Sequence, residues 1–285
     1  MLQASIRESA SAVVALGRGA RRGCGLIVGP ERVLVQAHVL RGEQVELRVR
    51  GGSSRRATVE GVDRVSGIAL LSADCGDVPE LRWAQELPEA GTSIVSLADP
   101  GSGLRVTQGS VSCVPVTVRT RSWRAIEMIE HTAPIPSGAG GGPILDEDGV
   151  VLGISALRGD PGFALAIPAA TARAALTRIL ERREPVRLGV ALASPRATRR
   201  MRAAVGLPER AGLLVREVED GSPAARAGVR AGDLLVRLGE RDLVDLDALF
   251  SELERSAAGD GVALQVVRGS DELELAVDLG AAPSP

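Results

Sequence analysis

The glycine-rich run Ser137-Gly138-Ala139-Gly140-Gly141-Gly142-Pro143-Ile144-Leu145 and His38, in Val35-Gln36-Ala37-His38-Val39, hold the residue types from which this chain could build a reactive site. A hydroxyl, an imidazole and backbone amides are the ingredients of acyl transfer: the oxygen attacks, the ring takes its proton and the amides hold the oxyanion. Glycines at 138 and 140 permit the backbone angles that aim N–H groups at one anion, an oxyanion-like nest for a carbonyl or carboxylate. Ser137 is the hydroxyl nearest that nest. A dinucleotide phosphate loop is excluded, because a fingerprint starting at Gly138 would need its last glycine at Pro143 and no helix signal follows. No metal site is expected: His38 and His131 form no ligand pair with metal spacing and are read as surface side chains. Cys24, Cys75 and Cys113 are widely spaced, which points to free thiols, with neither a zinc cage nor a disulfide framework. No cofactor is implied.

The elements that must position these residues belong to an ordinary globular chain. It has 285 residues, 45% hydrophobic and 25% charged, enough for two or three cores and far from a disordered composition. A net charge of -2 leaves no positive excess for a phosphate backbone or an anionic membrane, so nucleic acid is not expected as a partner. The N-terminal Met1-Leu-Gln-Ala-Ser-Ile has no apolar signal region, and no run approaches the roughly 18 apolar residues of a membrane span. The expectation is a cytoplasmic protein, with export the alternative if a leader precedes Met1.

From Ser11 to Ala169 the apolar residues come in short β-branched runs between turn residues, the pattern of antiparallel barrels. Six strands are expected at Ala12–Leu16, Gly25–Val28, Val33–Gln36, Gln44–Arg50, Arg56–Val62 and Ile68–Ser72. Six more are expected at Ser93–Leu97, Val106–Val114, Ala125–Glu130, Gly142–Leu145, Val150–Ala156 and Phe163–Ile167, with Asp148-Gly149 as a tight turn. Ala169–Arg183 then reads as an amphipathic helix, with Ala170, Ala174, Ala175, Ile179 and Leu180 on its apolar face. The domain reading is residues 1–181, a linker 182–185, a second module 186–280 and a tail 281–285 too polar to order itself.

On these residues the chain resembles the HtrA/Deg family of trypsin-fold serine proteases with a C-terminal PDZ domain. The glycine run resembles the family's Gly-Asn-Ser-Gly-Gly-Pro-Leu loop with Gly140 in place of the reactive serine. Asp63-Arg-Val-Ser-Gly67-Ile-Ala-Leu-Leu71 resembles its Asp-x-x-x-Asp-Leu-Ala-Leu-Leu with Gly67 in place of the catalytic aspartate. His38 stands for the triad histidine, here vestigial. Asp63 and Ser66 lie close in sequence to Gly67, but a one-residue shift along a strand turns a side chain to the other face, so neither is a simple substitute. The resemblance implies a mainly β fold, a trypsin-like double six-stranded antiparallel barrel followed by an α+β PDZ domain.

Arg187-Leu188-Gly189-Val190 resembles the carboxylate-binding loop of a bacterial PDZ domain, and Gly221-Ser-Pro-Ala-Ala-Arg-Ala-Gly-Val-Arg-Ala-Gly-Asp-Leu-Leu235 resembles a long, specific segment of that domain. The resemblance implies strand addition along Val190–Ala193. It also implies a flanking helix over Leu246–Glu254 and an apolar pocket of Leu188, Val190, Leu249 and Leu253, with Phe250 as a contributor. Arg187 would attract a peptide carboxylate. The expected function is a catalytically inactive, peptide-binding or scaffold protein whose partners are C-terminal or unfolded peptide segments, with homo-oligomers or active protease relatives as further partners. The alternative is an active serine endopeptidase in protein quality control, with a rearranged site of His38 and Ser137.

Overall fold

The computed structural model describes residues 2–17, 22–49, 54–76, 78–119, 125–181, 186–193, 195–204, 206 and 210–281. The chain separates into two compact units, Met1–Val118 with Ile126–Arg182, and Arg119–Ala125 with Arg183–Pro285. The expected linker 182–185 and residues 282–285 lie outside the described residues.

The first unit opens with a helix, α1 (Leu2–Ser11), for which the sequence carried no clear period. Strands β1 (Val13–Leu16), β2 (Gly23–Gly29), β3 (Arg32–Gln36), β4 (Gln44–Arg48), β5 (Ser54–Asp63) and β6 (Ile68–Ser72) close into a barrel in the order β1-β2-β3-β6-β5-β4. Its interior is aliphatic. Leu26, Leu34, Leu47, Ile68 and Leu71 are fully buried, each removal from water contributing about 2 kcal/mol. Strands β7 (Ser93–Ala98), β8 (Arg105–Arg119), β9 (Ala125–His131), β10 (Pro143–Leu145), β11 (Val151–Arg158) and β12 (Ala164–Pro168) close a second barrel in the order β10-β11-β12-β9-β8-β7. The turn between β10 and β11 is organised by Asp146, whose carboxylate accepts the amides of Asp148 and Val150, and Gly149 takes a φ of 77°. The mainly β, double-barrel architecture is therefore present, although β8 runs well past the expected Val114 and Arg50 lies outside the described residues.

Helix α2 (Ala169–Leu180) buries Ala169, Ala172 and Ala175, whereas Ala170 and Ala174 are exposed and Leu180 is 46% exposed. The expected apolar face is thus rotated. Small residues decide it: α2 packs on β5, β6, β11 and β12, and a Cβ at Gly61 of β5 would lie 2.7 Å from Ile179.

The second unit contains a two-stranded pair, β13 (Val186–Arg187) with β20 (Gly280–Ala281), and a sheet. The sheet is built from β14 (Val190–Leu192), β15 (Leu213–Val218), β16 (Leu234–Leu238), β17 (Arg241–Asp242), β18 (Gly261–Arg268) and β19 (Asp271–Asp278). Its order is β14-β15-β16-β18-β19, with β17 on β16, so β14 is an edge strand. Ala281, expected in the unordered tail, pairs with Val186. Helices α3 (Pro195–Ala204), α4 (Pro223–Arg226) and α5 (Leu246–Arg255) complete the unit. Ser222 caps α4 and Asp245 caps α5, each accepting a backbone amide of the first turn. Asp233 of the glycine-aspartate segment is 1% exposed and is held by the guanidinium of Arg268, a structural ion pair.

Candidate functional site

Between the two barrels lies a cleft of about 200 Å³. Its lining includes His38, Ser137, Gly138 and Gly140, which the sequence separates by a hundred residues. His38 sits on the short 3-10 turn Ala37–Val39 that follows β3, and it is exposed. Gly67 is next to it: the Ala37 amide donates to the Gly67 carbonyl at 2.7 Å. Gly67 has a φ of 72°, and a Cβ there would meet nothing within 4 Å. No side chain among the described residues bonds to the His38 ring.

The two polar neighbours of Gly67 are engaged elsewhere. Asp63, 7% exposed, accepts Nε of Arg178 at 3.1 Å and its terminal nitrogen at 2.9 Å, and it accepts the Ser66 hydroxyl at 2.5 Å. Burial pushes the Asp63 carboxyl up, but the bonds from Arg178 and Ser66 outweigh it and hold the group below the usual carboxylate range. This pair fastens α2 to the end of β5.

The loop around Gly140 is held by its backbone. Ala139 donates to Pro136 at 3.1 Å, closing a turn in which Gly138 has a φ of 76°. Cys24 donates its amide to the Gly140 carbonyl at 2.8 Å, and Gly141 donates to Ser155 at 2.7 Å. The Cys24 thiol bonds Asp99 and lies 3.7 Å from the Gly138 carbonyl; burial pushes it up to about 12, so it is an inert packing group. The amides of Gly138 and Gly140 donate to no other described residue. Gln36, 2% exposed, donates to the Ser155 carbonyl at 2.8 Å while its Oε1 has no partner, and that oxygen lies 3.4 Å from where a Cβ at 140 would stand. Sequence reasoning missed Gln36, because its burial depends on the second barrel.

His131 corrects a second expectation. It is fully buried in β9, where a surface imidazole was expected, and neither ring nitrogen has a hydrogen-bond partner. Burial pushes it down to about 4, opposed only weakly by the backbone near Ala133 and the charge of Glu130. The folded state therefore takes up this proton less readily than the unfolded chain. The contribution of neutral His131 is fully present above the unfolded value near 6.5 and is lost as pH falls towards about 4, at most about 3 kcal/mol. Urea unfolding at several pH values should show a steeper acid loss in the parent than in His131→Leu; parallel profiles would refute this.

In the second unit, Leu188, Leu249 and Leu253 are 2%, 3% and 8% exposed and belong to its core, with Val190 and Phe250 partly buried. Arg187, expected to await a peptide carboxylate, is paired with Glu219 at 2.5 Å. Gly189 has a φ of 78°, and its carbonyl accepts the Glu219 amide at 3.0 Å, so the loop and Glu219 are tied together. The amides of Leu188 and Gly189 donate to no other described residue. Among the described residues no three of His, Cys, Asp and Glu cluster as metal ligands, and no helix is long and apolar enough to cross a membrane.

Comparison with known proteins agrees with this geometry. Residues 23–154 match the trypsin-like peptidase domain and residues 186–279 match the PDZ domain. Proteins named probable periplasmic serine endoprotease DegP-like, from Pseudomonas fluorescens and Hahella chejuensis, are 28% and 26% identical over 92% of this chain. The chain spans 56% and 57% of their lengths. Among solved structures, the HtrA-type protease AlgW with decapeptide superposes with a TM-score of 0.83 at 22% identity, covering 100% of both chains. A serine endoprotease from Yersinia pestis superposes with a TM-score of 0.79 at 20% identity, over 99% of this chain and 98% of the other. These two speak to the fold. The chain carries a trypsin-like peptidase domain followed by a PDZ domain.

Proposed function

We propose that this protein is a pseudoprotease, a peptide-binding or scaffold protein without hydrolysis of its own. The observation that carries the reading is His38: the residues at the two positions where it would need partners, Gly67 and Gly140, offer neither carboxylate nor hydroxyl. A triad without its serine loses about a millionfold in turnover, roughly 8 kcal/mol of transition-state stabilisation. The rival, hydrolysis by Ser137 with His38, has in its favour that both line the cleft, but they share no hydrogen bond. Gel proteolysis of an unfolded protein, with His38→Ala as control, decides between them. Turnover that vanishes in the variant, or labelling of Ser137 by a fluorophosphonate, would overturn the pseudoprotease reading.

The peptide-binding part of the proposal rests on the edge strand β14 and the free amides at Leu188 and Gly189. AlgW, similar in fold, is described with a decapeptide bound. Glu219 modifies the expectation: a peptide carboxylate arriving at Arg187 meets an acid already paired with it. That opposition, at an exposed pair, is worth about 1 kcal/mol. Glu219→Gln should therefore tighten free-acid peptides about fivefold and leave amidated peptides unchanged. An equal effect on both would refute the carboxylate-capture mode. Copurification with an active protease relative would add a regulatory partner to this reading.

A further inference from the structure

The edge strand β14 has two faces, and they differ in what they offer a chain laid alongside. Val190 and Leu192 pack with Val218 and Val215 against the core of the second unit, whereas Ala191, between them, is exposed on the opposite face. The register sets Ala191 against Glu217 of β15, which is exposed as well. Two residues further along, Ala193 and Leu214 are buried with Ala197 of α3 packed on them. The outer face is therefore open at the row of Ala191 and Glu217 and covered at the next.

A C-terminus held by its carboxylate on the amides of Leu188 and Gly189, at the start of β14, runs antiparallel to that strand. Its last residue then lies across from Val190 and its penultimate residue across from Ala191, with the penultimate side chain on the outer face. With strands about 4.8 Å apart, its backbone is about 10 Å from that of Glu217, across an alanine too short to intervene. An extended lysine or arginine and a glutamate cover that span between them.

Charge decides what this row accepts. The Glu217 carboxylate makes no ion pair among the described residues, whereas Glu219 is engaged by Arg187. Arg216, the extra residue that the register shift leaves without a cross-strand partner, is exposed and does not pair with Glu217. Asp220, in the turn after β15, is a second exposed acid without an ion pair, so two free carboxylates stand against one free guanidinium along this segment. We propose that Glu217 makes the groove select C-termini with a basic penultimate residue and reject those with an acidic one. The proposal rests on the reading that β14 binds a C-terminus. The pocket of Leu188, Val190, Leu249 and Leu253 takes the last side chain, and Glu217 reads the one before it.

The test uses the full chain and fluorescein-labelled peptides of alanines ending in X-Val, with X lysine, glutamine or glutamate, titrated by anisotropy at low and high salt. An exposed ion pair and its like-charge counterpart are each worth about threefold, so the lysine peptide should bind about tenfold more tightly than the glutamate peptide at low salt, and by less at high salt. Glu217→Gln should bring these two within about twofold of each other, and Glu217→Lys should reverse their order. Because Glu217 is exposed and its carboxylate holds nothing in the fold, the glutamine peptide should keep its affinity within about twofold in both variants. An undiminished lysine preference in Glu217→Gln, or equal affinities for the lysine and glutamate peptides in the parent, would overturn the proposal. The glutamine peptide, as free acid and amidated, separates the two failures. If its free acid binds and its amide does not, equal lysine and glutamate affinities sink this inference alone. If neither form binds, the groove reading falls and this inference with it.

Discussion

A Gly67→Asp/Gly140→Ser double variant is expected to hydrolyse an unfolded protein substrate that the parent leaves intact, and to lose that activity when His38 is also replaced. The backbone admits both changes. At 140 the new Cβ would touch Gln36 Oε1 at 3.4 Å and the Ala156 carbonyl at 3.5 Å, ordinary contacts, and no left-handed φ opposes it. At 67 the space is empty within 4 Å, and the left-handed φ of 72° costs an aspartate, which tolerates it better than most, about 1 kcal/mol. Gly140→Ser alone restores the nucleophile but leaves the imidazole without an orienting acid. Loss of that acid in a comparable triad costs about 30,000-fold in turnover, so the single variant should lie about four orders of magnitude below the double. Gln36 Oε1 lacks a donor and competes for the new hydroxyl, which keeps the double variant below a natural triad. If the double variant folds and still cleaves nothing, the two glycines do not explain inactivity and the proposed function needs another cause.

One position further on, the opposite result is expected. Gly141→Ala should destabilise the protein by about 4 kcal/mol or more, enough to unfold a marginal domain, while Gly140→Ala stays within about 1 kcal/mol of the parent. Gly141 has a φ of 99°, and a Cβ there would lie 2.1 Å from the Cys24 carbonyl oxygen, a backbone atom of β2 that cannot move without opening the first barrel. Gly142 is confined in the same way by the Leu97 carbonyl oxygen of β7, at 2.0 Å. Denaturant unfolding of the two alanine variants checks the contrast. Equal stabilities would mean that the loop is not the clamp between barrels that its contacts describe. The glycines therefore divide: 141 and 142 are required by close backbone approach, and only 140 is free to be anything else.

The double barrel was legible because its strands are short β-branched runs broken by turn residues, a local property that strand pairing then follows. The PDZ domain was legible because its segment from Gly221 to Leu235 is a string of turn and cap requirements: Ser222 as cap, Pro223 at the first helical position and Gly228 at a φ of 84°. Helix α3 was missed because an arginine-rich segment, Pro195–Ala204, carries little apolar period for a helix prediction to use. The buried face of α2 was misplaced because alanines leave the choice of face to the partner, and Gly61 and Asp63 on β5 made that choice. The fate of charged groups was the least legible. Arg178 finds Asp63 from 115 residues away and Arg187 finds Glu219 from 32 away, distances over which no pattern in the chain announces a pairing.

The sequence by itself determined what is absent, because a glycine at 67 and a glycine at 140 lack a carboxylate and a hydroxyl in any fold. Only the tertiary structure decided how the neighbouring polar groups are spent: Asp63 is committed to Arg178, Ser66 to Asp63, and His38 lines the cleft with no side-chain hydrogen bond among the described residues. The physical reason is that a residue's chemistry travels with it, whereas the satisfaction of a buried or cleft-facing polar group depends on every element packed around it. Gln36 shows both halves, an ordinary amide in the sequence and an acceptor one donor short once the second barrel closes over it.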